Sequence, residues 1–484
     1  MDRRSFILGT AVTAGAAMVT AVPRSATAAE IPTGLVDSRT AGRADARSGI
    51  QQVIDTSHRV LIGPGDHRCD GPLLVDEGTV IYLAPGARLI KNFSASGAMR
   101  NAFLRNRQWG RGGPDGVTKV HDVWIGGTGT LTAASPAERG NLISLFGDRI
   151  TLRDFTTDVW QGGRHTVLAG DDCRATDVTM LGGGGATGNG GLRFQGGRGF
   201  IGTGLYCESG DDAFQFVPAG APADPTYGMD IEDSVYIGCT GSSSHAKLVV
   251  IGLQYGGSNG APDGRVTMTS SVRRSGFVNC AAPDGAAVTS RIQNISSSGV
   301  IEDCYIEDLT TVGLPSTTGG VELLVNAWED TGGISRMRIS GVTMRSLRQP
   351  VAIKRGGVDV TFARCSFRRG TNATGHPVAE LSGIRTLLTR CTFDGAGSRA
   401  PVVTVERPEN GGGPSPSLVT FDHCQFLGVN GVGVDLQAGD RTWLDGCVFE
   451  GQGTAVRTGP AATRTRYSDN DYGTLIPLTG GFGA

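Results

Sequence analysis

At 484 residues the chain is far longer than one compact domain, so several domains or one extended fold is expected. Its 76 glycines follow no three-residue period, which excludes collagen, and a 39% hydrophobic content is enough for a continuous core and argues against disorder. The formal net charge is −2, without long runs of one sign, so neither nucleic acid nor an anionic membrane is expected as a partner.

Reading from the N-terminus, Arg3 and Arg4 precede an alanine-rich apolar stretch from Phe6 to Val22, followed by the small residues Ala26-Thr27-Ala28. This resembles a twin-arginine export signal. It predicts residues 1–28 as a removed leader, residues 29–484 as one secreted domain, and no membrane association after processing. The competing reading is an anchor helix, but the stretch is diluted by Gly, Ala and Thr and sits at the short end of the ~17–25 residues a span needs. Next, Ile50, Val53 and Ile54 stand at helical spacing and predict a short amphipathic helix closing one end of a larger body.

From Val60 onward the sequence breaks into short β-rich runs bounded by Gly, Asp, Asn or Ser. A small unit, cysteine followed two residues later by Phe or Ile, recurs at Cys304, Cys365, Cys391, Cys424 and Cys447. In a strand, residues two apart share a face, so both members of the unit point the same way, inward. Units this short cannot bury a core alone and must coil on one another. Tight two-residue hairpin turns, which a propeller or sandwich needs, are not seen. The expected fold is all-β, a right-handed parallel β-helix of roughly a dozen coils with a short N-terminal capping helix. The ten cysteines read either as stacked buried thiols or, in an exported protein, as disulfides.

Chemistry concentrates between Gly188 and Gln293. Four clusters follow in order: Asn189-Gly190-Gly191-Leu192-Arg193, Gly210-Asp211-Asp212, Ser244-His245-Ala246-Lys247 and Arg291-Ile292-Gln293. Paired carboxyls suit glycosidic cleavage, one protonated to assist the leaving oxygen and one ionised to activate water. Adjacent residues of a regular strand face opposite ways, so Asp211 and Asp212 share a cleft only if the turn at Gly210 breaks the alternation. Otherwise both simply cap a turn.

The order of the clusters resembles the polygalacturonase family of glycoside hydrolases, right-handed parallel β-helices marked by Asn-Thr-Asp, Gly-Asp-Asp, Gly-His-Gly and Arg-Ile-Lys. The resemblance implies a polysaccharide or oligosaccharide substrate. It makes Asp211 the general acid and Asp212 a water-activating group, with His245 supporting the acid and Arg291 binding sugar. Lys247, Asn189, Arg193 and Gln293, in the same clusters, are assigned to substrate binding. Two departures matter: Gly190 stands where the family has its first aspartate, and Gln293 replaces its lysine. Glu208 is the candidate replacement for the missing carboxylate. A second pair, Asp171-Asp172, is expected to be a turn, and His165 to be structural unless it reaches the cleft. Trp109, Trp124, Trp160 and Trp328 are candidates for stacking on sugar rings or for filling the core. No cofactor is expected, because His-x-x-x-His and Cys-x-x-Cys spacings are absent, although Asp211 and Asp212 with carbonyls offer oxygen ligands for calcium. A polysaccharide lyase with Lys247 or Arg291 as base, and a noncatalytic carbohydrate-binding protein, are the alternatives on the same scaffold.

Overall fold

A computed structural model describes residues 31–94, 102–108, 118–135, 140–158, 165–182, 190–219, 226–244, 246–253, 270–282, 289–294, 299–312, 321–327, 333–346, 349–354, 358–370, 375–407, 416 and 418–479. The export signal, Asn189, His245, Trp109, Trp160 and Trp328 lie outside them.

The described chain is a right-handed parallel β-helix in which successive coils pair strand on strand along three main paths, with a short additional stack through Gly197–Arg198, Ile231–Glu232, Val272–Arg273 and Ile301–Glu302 just before the first. The first runs through Trp124–Gly127, Thr151–Arg153, Arg174–Thr176, Ile201–Thr203 and Val235–Ile237. The second passes Thr130–Ala133, Thr156–Asp158, Thr179–Leu181, Tyr206–Ser209 and Thr240–Ser243. The third, which carries the site, stacks Thr166–Ala169, Leu192–Phe194, Phe214–Phe216, Lys247–Leu253 and Thr289–Asn294. Inward residues of all three paths form one continuous apolar core.

Left-handed corners set the coil geometry. Between the first and second paths, Asp154, Asp177, Gly204, Gly238, Asn279 and Asp308 have φ between 50° and 63°. Gly, Asn and Asp enter this region at least cost, which is why they recur there. The residue after each corner drops into the core: Phe155, Val178, Leu205, Cys239, Cys280 and Leu309 are all buried. Cys365, Cys391, Cys424 and Cys447 hold the same place after Arg364, Arg390, His423 and Gly446. All ten cysteines are buried and free of disulfides. Two residues on, Phe367, Phe393, Phe426 and Phe449 stack with ring centroids 5.6, 5.7 and 4.7 Å apart. Four of the five cysteine units are therefore the mark of one corner repeated coil after coil; the fifth, at Cys304, follows left-handed Asp303 at a different corner, before the first path.

At the opposite corner, Asp122, Arg149, Asp233, Arg274, Asp303 and Arg336 are left-handed and bind pairwise across coils, with Arg Nε to Asp distances of 2.7 Å. These pairs are exposed, so each contributes little. The Asp171–Asp172 pair belongs to this corner and is a turn: Asp172 has φ 56°, and Asp171 Oδ1 accepts the Arg198 N–H at 2.8 Å.

The helix Arg47–Ser57 buries Ile50, Gln51 and Ile54 against the first coil. Gln51 donates to the Leu74 carbonyl at 3.0 Å and accepts from its N–H at 2.8 Å. The helix thus satisfies backbone groups on strand Leu73–Val75 that would otherwise be open to pairing at the sheet's end.

Candidate functional site

Asp211 and Asp212 occupy the turn that carries the chain from Tyr206–Ser209 on the second path to Phe214–Phe216 on the third. Asp211 Oδ1 accepts the Asp212 N–H at 2.9 Å, and the Ser209 hydroxyl donates to the Asp211 carbonyl. The Asp212 carbonyl accepts from Gln215 Nε2 at 2.8 Å and from the Gly191 N–H at 3.0 Å. So pinned, the turn leaves Asp211 half-buried and the Asp212 side chain only 2% exposed.

One coil further, the Ala213 N–H donates to the Lys247 carbonyl at 2.8 Å, which sets Lys247 beside the turn. Its Nζ lies 3.8 Å from Asp212 Oδ1. Burial pushes the Lys247 ammonium below its usual range; Asp212 opposes that, Arg291 reinforces it, and Asp211 opposes it again. All four charged groups therefore share one electrostatic neighbourhood. Arg291 follows on the next coil, in register with Val250. Arg291 Nη1 donates to Gln293 Oε1 at 3.3 Å, while its Nε is buried without a hydrogen-bond partner. Asp211, Asp212, Lys247, Arg291 and Gln293 are thus gathered from three successive coils.

The coil before the turn contributes no carboxylate at Gly190. The His165 N–H donates to the Gly190 carbonyl at 2.9 Å, and Gly191 donates to Asp212, so both glycines lie one coil below the aspartates. Gly191 has no room for a side chain: a Cβ there would stand 2.3 Å from the Ala213 carbonyl oxygen and 2.5 Å from Cys207 Sγ. Glu208 does not fill the gap. It sits exposed on the strand Tyr206–Ser209, where it accepts the Tyr206 hydroxyl at 2.5 Å.

Arg193 differs from the expectation. Its outward position on the third path is roofed by the segment after Phe216, and its guanidinium donates to the carbonyls of Val217 at 2.9 Å and Pro218 at 2.8 Å. It holds that segment and is 7% exposed, so it does not present a cation to a cleft. His165 is fully buried, with Nδ1 2.7 Å from Thr157 Oγ1. Burial pulls its pKa down to about 3, so it stays neutral and takes the structural role. Trp124 stacks on Tyr82 with centroids 6.2 Å apart and packs over Gly126.

Two residues that position the site were missed in the sequence. Gln215 pins the Asp212 carbonyl, and the alternation Phe214-Gln215-Phe216, with both rings inward, was the available signal. Tyr236, buried beneath, donates its hydroxyl to the Leu192 carbonyl at 3.1 Å and the Gln215 carbonyl at 3.3 Å, tying the two site strands together. Among the described residues, no three His, Cys, Asp or Glu side chains converge as a metal site.

Neither a known protein family nor any curated protein matches the chain. Solved structures do. The tailspike of Escherichia coli bacteriophage HK620, solved with a pentasaccharide, is 10% identical with a TM-score of 0.54, the match covering 88% of this chain and 75% of that one. A hyperthermoactive exopolygalacturonase from Thermotoga maritima is 11% identical over 74% of this chain and 92% of its own, with a TM-score of 0.47. The endo-xylogalacturonan hydrolase of Aspergillus tubingensis is 10% identical over 78% of this chain and 97% of its own, with a TM-score of 0.45. The structural neighbours are thus polygalacturonases and tailspikes, and at such identity the likeness to the tailspike establishes the parallel β-helix and nothing finer.

Proposed function

We propose that the protein is an exported glycoside hydrolase that cleaves a polysaccharide at the Asp211–Asp212 turn. The observation that carries this is the meeting of two adjacent aspartates with Lys247 and Arg291 on successive coils, in the motif order of the polygalacturonase resemblance. The neighbours named for polygalacturonase and xylogalacturonan hydrolase activity share the scaffold and supply the analogy.

In this reading Asp211, the more accessible of the two, protonates the leaving oxygen. Asp212, 3.8 Å from Lys247 Nζ, takes the water-activating role that the resemblance gives it. The Arg291 guanidinium holds sugar hydroxyls or carboxylates through its paired donors. Export through the Arg3-Arg4 leader would bring the enzyme to a polymer that cannot enter the cell. A screen of residues 29–484 against acidic and neutral polysaccharides, reading new reducing ends, tests the reading. Release of none from any glycan contradicts it.

One observation favours a second reading. Lys247 is largely buried and its ammonium is destabilised, as a lysine acting as a base requires. A lyase using it would abstract the proton beside a uronate carboxylate, with Arg291 on the carboxylate. Its product absorbs in the ultraviolet as an unsaturated uronate, and hydrolysis gives no such absorbance.

A further inference from the structure

Past Arg291 the outward face of the third path continues with uncharged groups. Leu323, Val325 and Ala327 of the strand Val321–Ala327 belong to the core, so Leu324 and Asn326 face outward. Register sets Leu324 beside Arg291 and Asn326 beside Gln293, and Gly252, with no side chain, precedes Gln293 in the same column. Asn326 is 8% exposed, yet its Oδ1 is buried without a hydrogen-bond partner among the described residues. Arg291 Nε is in the same condition, while Arg291 Nη1 is turned to Gln293 Oε1. One donor and one acceptor thus go unsatisfied on adjacent coils beside the candidate site. Folded proteins rarely leave such groups unpaired, because burying them without a partner costs stability. The charged groups that meet here are Asp211, Asp212, Lys247 and Arg291, two of each sign, so they carry no positive excess that would select a polyanion. Lys354 takes the register position after Asn326, one coil beyond the amide pair.

We infer that Arg291, Gln293 and Asn326 form a subsite for an uncharged sugar unit, so that the polymer at the Asp211–Asp212 turn is a neutral glycan rather than a polyuronate. Side-chain amides pair with groups that both donate and accept, such as a sugar hydroxyl or an acetamido group. Asn326 Oδ1 needs a donor. A hydroxyl supplies one, whereas a carboxylate only accepts and would lie against that oxygen while losing its own hydration. Arg291 Nε, a donor, takes the oxygen of a second hydroxyl. Thr289, the register partner of Lys247, stands four residues before Gln293, about 13 Å along an extended strand, so the amide pair acts on a sugar away from the bond cleaved. This inference rests on the hydrolase reading and sharpens it. A sugar without a carboxylate has no acidified neighbouring proton for Lys247 to abstract, which sides with hydrolysis over the lyase.

The test is native affinity electrophoresis in gels containing polygalacturonate, its carboxyl-reduced form, arabinoxylan or galactan. It compares wild type, Asn326→Leu and Gln293→Lys, with circular dichroism confirming folding. At least one neutral polymer should retard the wild type, and polygalacturonate should retard it least. Asn326→Leu should bind that neutral polymer about tenfold more weakly, the change expected from losing one hydrogen bond and its geometry. Its melting temperature should not fall, because the amide it removes has no protein partner. Gln293→Lys, which adds a cation to the subsite, should shift retardation toward polygalacturonate. Stronger retardation of the wild type by polygalacturonate than by every neutral polymer, as a uronate seated on Lys354 would give, overturns the inference. So does absence of retardation by all four polymers, unchanged affinity in Asn326→Leu, or unchanged preference in Gln293→Lys. Binding of a neutral polymer through Asn326 without release of reducing ends would keep the subsite and remove the hydrolase; release of reducing ends from polygalacturonate alone would keep the hydrolase and remove the subsite.

Discussion

Replacing Lys247 by methionine removes a cation 3.8 Å from a carboxylate that is almost fully covered. At the 3.8 Å separation of Lys247 Nζ from Asp212 Oδ1, unit charges attract by about 4 kcal/mol at an effective dielectric of ~20. Part of that offsets the cost of burying the ammonium, the cost that already pushes Lys247 below its usual range. Breaking a buried pair from one side typically costs ~3–5 kcal/mol, because the remaining charge stays buried. The Lys247 side chain is still 18% exposed and Asp211 and Arg291 share the field, so about 2–3 kcal/mol is expected for Lys247→Met at pH 7. Adding Asp212→Asn to Lys247→Met should recover much of that loss, since both charges of the pair are then gone. Chemical denaturation of the four proteins of the cycle gives the coupling directly. At acid pH, where an isolated carboxylate takes up a proton, the penalty of the single variant should shrink. Additive losses at pH 7, with no coupling, would show that the two charges do not meet.

Thiol labelling of denatured, unreduced protein should find all ten cysteines reactive, and reducing agents alone should leave the melting temperature unchanged; near-complete absence of free thiols would refute the stacked corners. His165 has its folded-state pKa lowered from about 6.5 to about 3 by burial. Only the unfolded chain takes up its proton in between, so its contribution is full above pH 6.5 and is progressively lost as pH falls toward 3. A His165→Gln variant should show a shallower fall of melting temperature over that window, and an identical slope would remove the argument. Arg291→Ala should raise KM more than it lowers kcat on whichever glycan is cleaved, whereas a collapse of kcat at constant KM would put the guanidinium in the transition state.

Much of the architecture was legible because each coil repeats one physical requirement. A left-handed corner recurs, held by Gly, Asn or Asp in the earlier coils and by Arg or His in several later ones, the next residue falls into the core, and in the later coils the aromatic two positions on stacks on its counterpart. Cys365-Ser366-Phe367 and Cys391-Thr392-Phe393 record that rule in sequence. The capping helix was equally visible, since Ile50 and Ile54 face the core one turn apart. What local spacing did not reveal was the outer environment of outward positions. Arg193 and Arg291 occupy similar outward places on the third path. Only the fold shows that Val217 and Pro218 cover the first. Period-two alternation names the direction of a side chain, not what a loop 20 or more residues away lays over it. Glu208 fell to the same limit: its strand turns it toward Tyr206 before the chain reaches the aspartate turn. Trp443 stands between Thr442 and Leu444, both buried, so alternation turns it outward, and the register with Leu387 and Thr420 places it on an open face.

The central claim is that the Asp211–Asp212 turn carries the chemistry. Its most direct test is turnover of Asp211→Asn and Asp212→Asn on the glycan identified by the screen, with circular dichroism to confirm folding. Loss of proton donation at Asp211 should lower kcat by ~10²–10⁴-fold, and Asp212→Asn should be comparably severe because Gly190 supplies no second carboxylate to activate water. Folded variants that turn over substrate at the wild-type rate would contradict the account and remove the site.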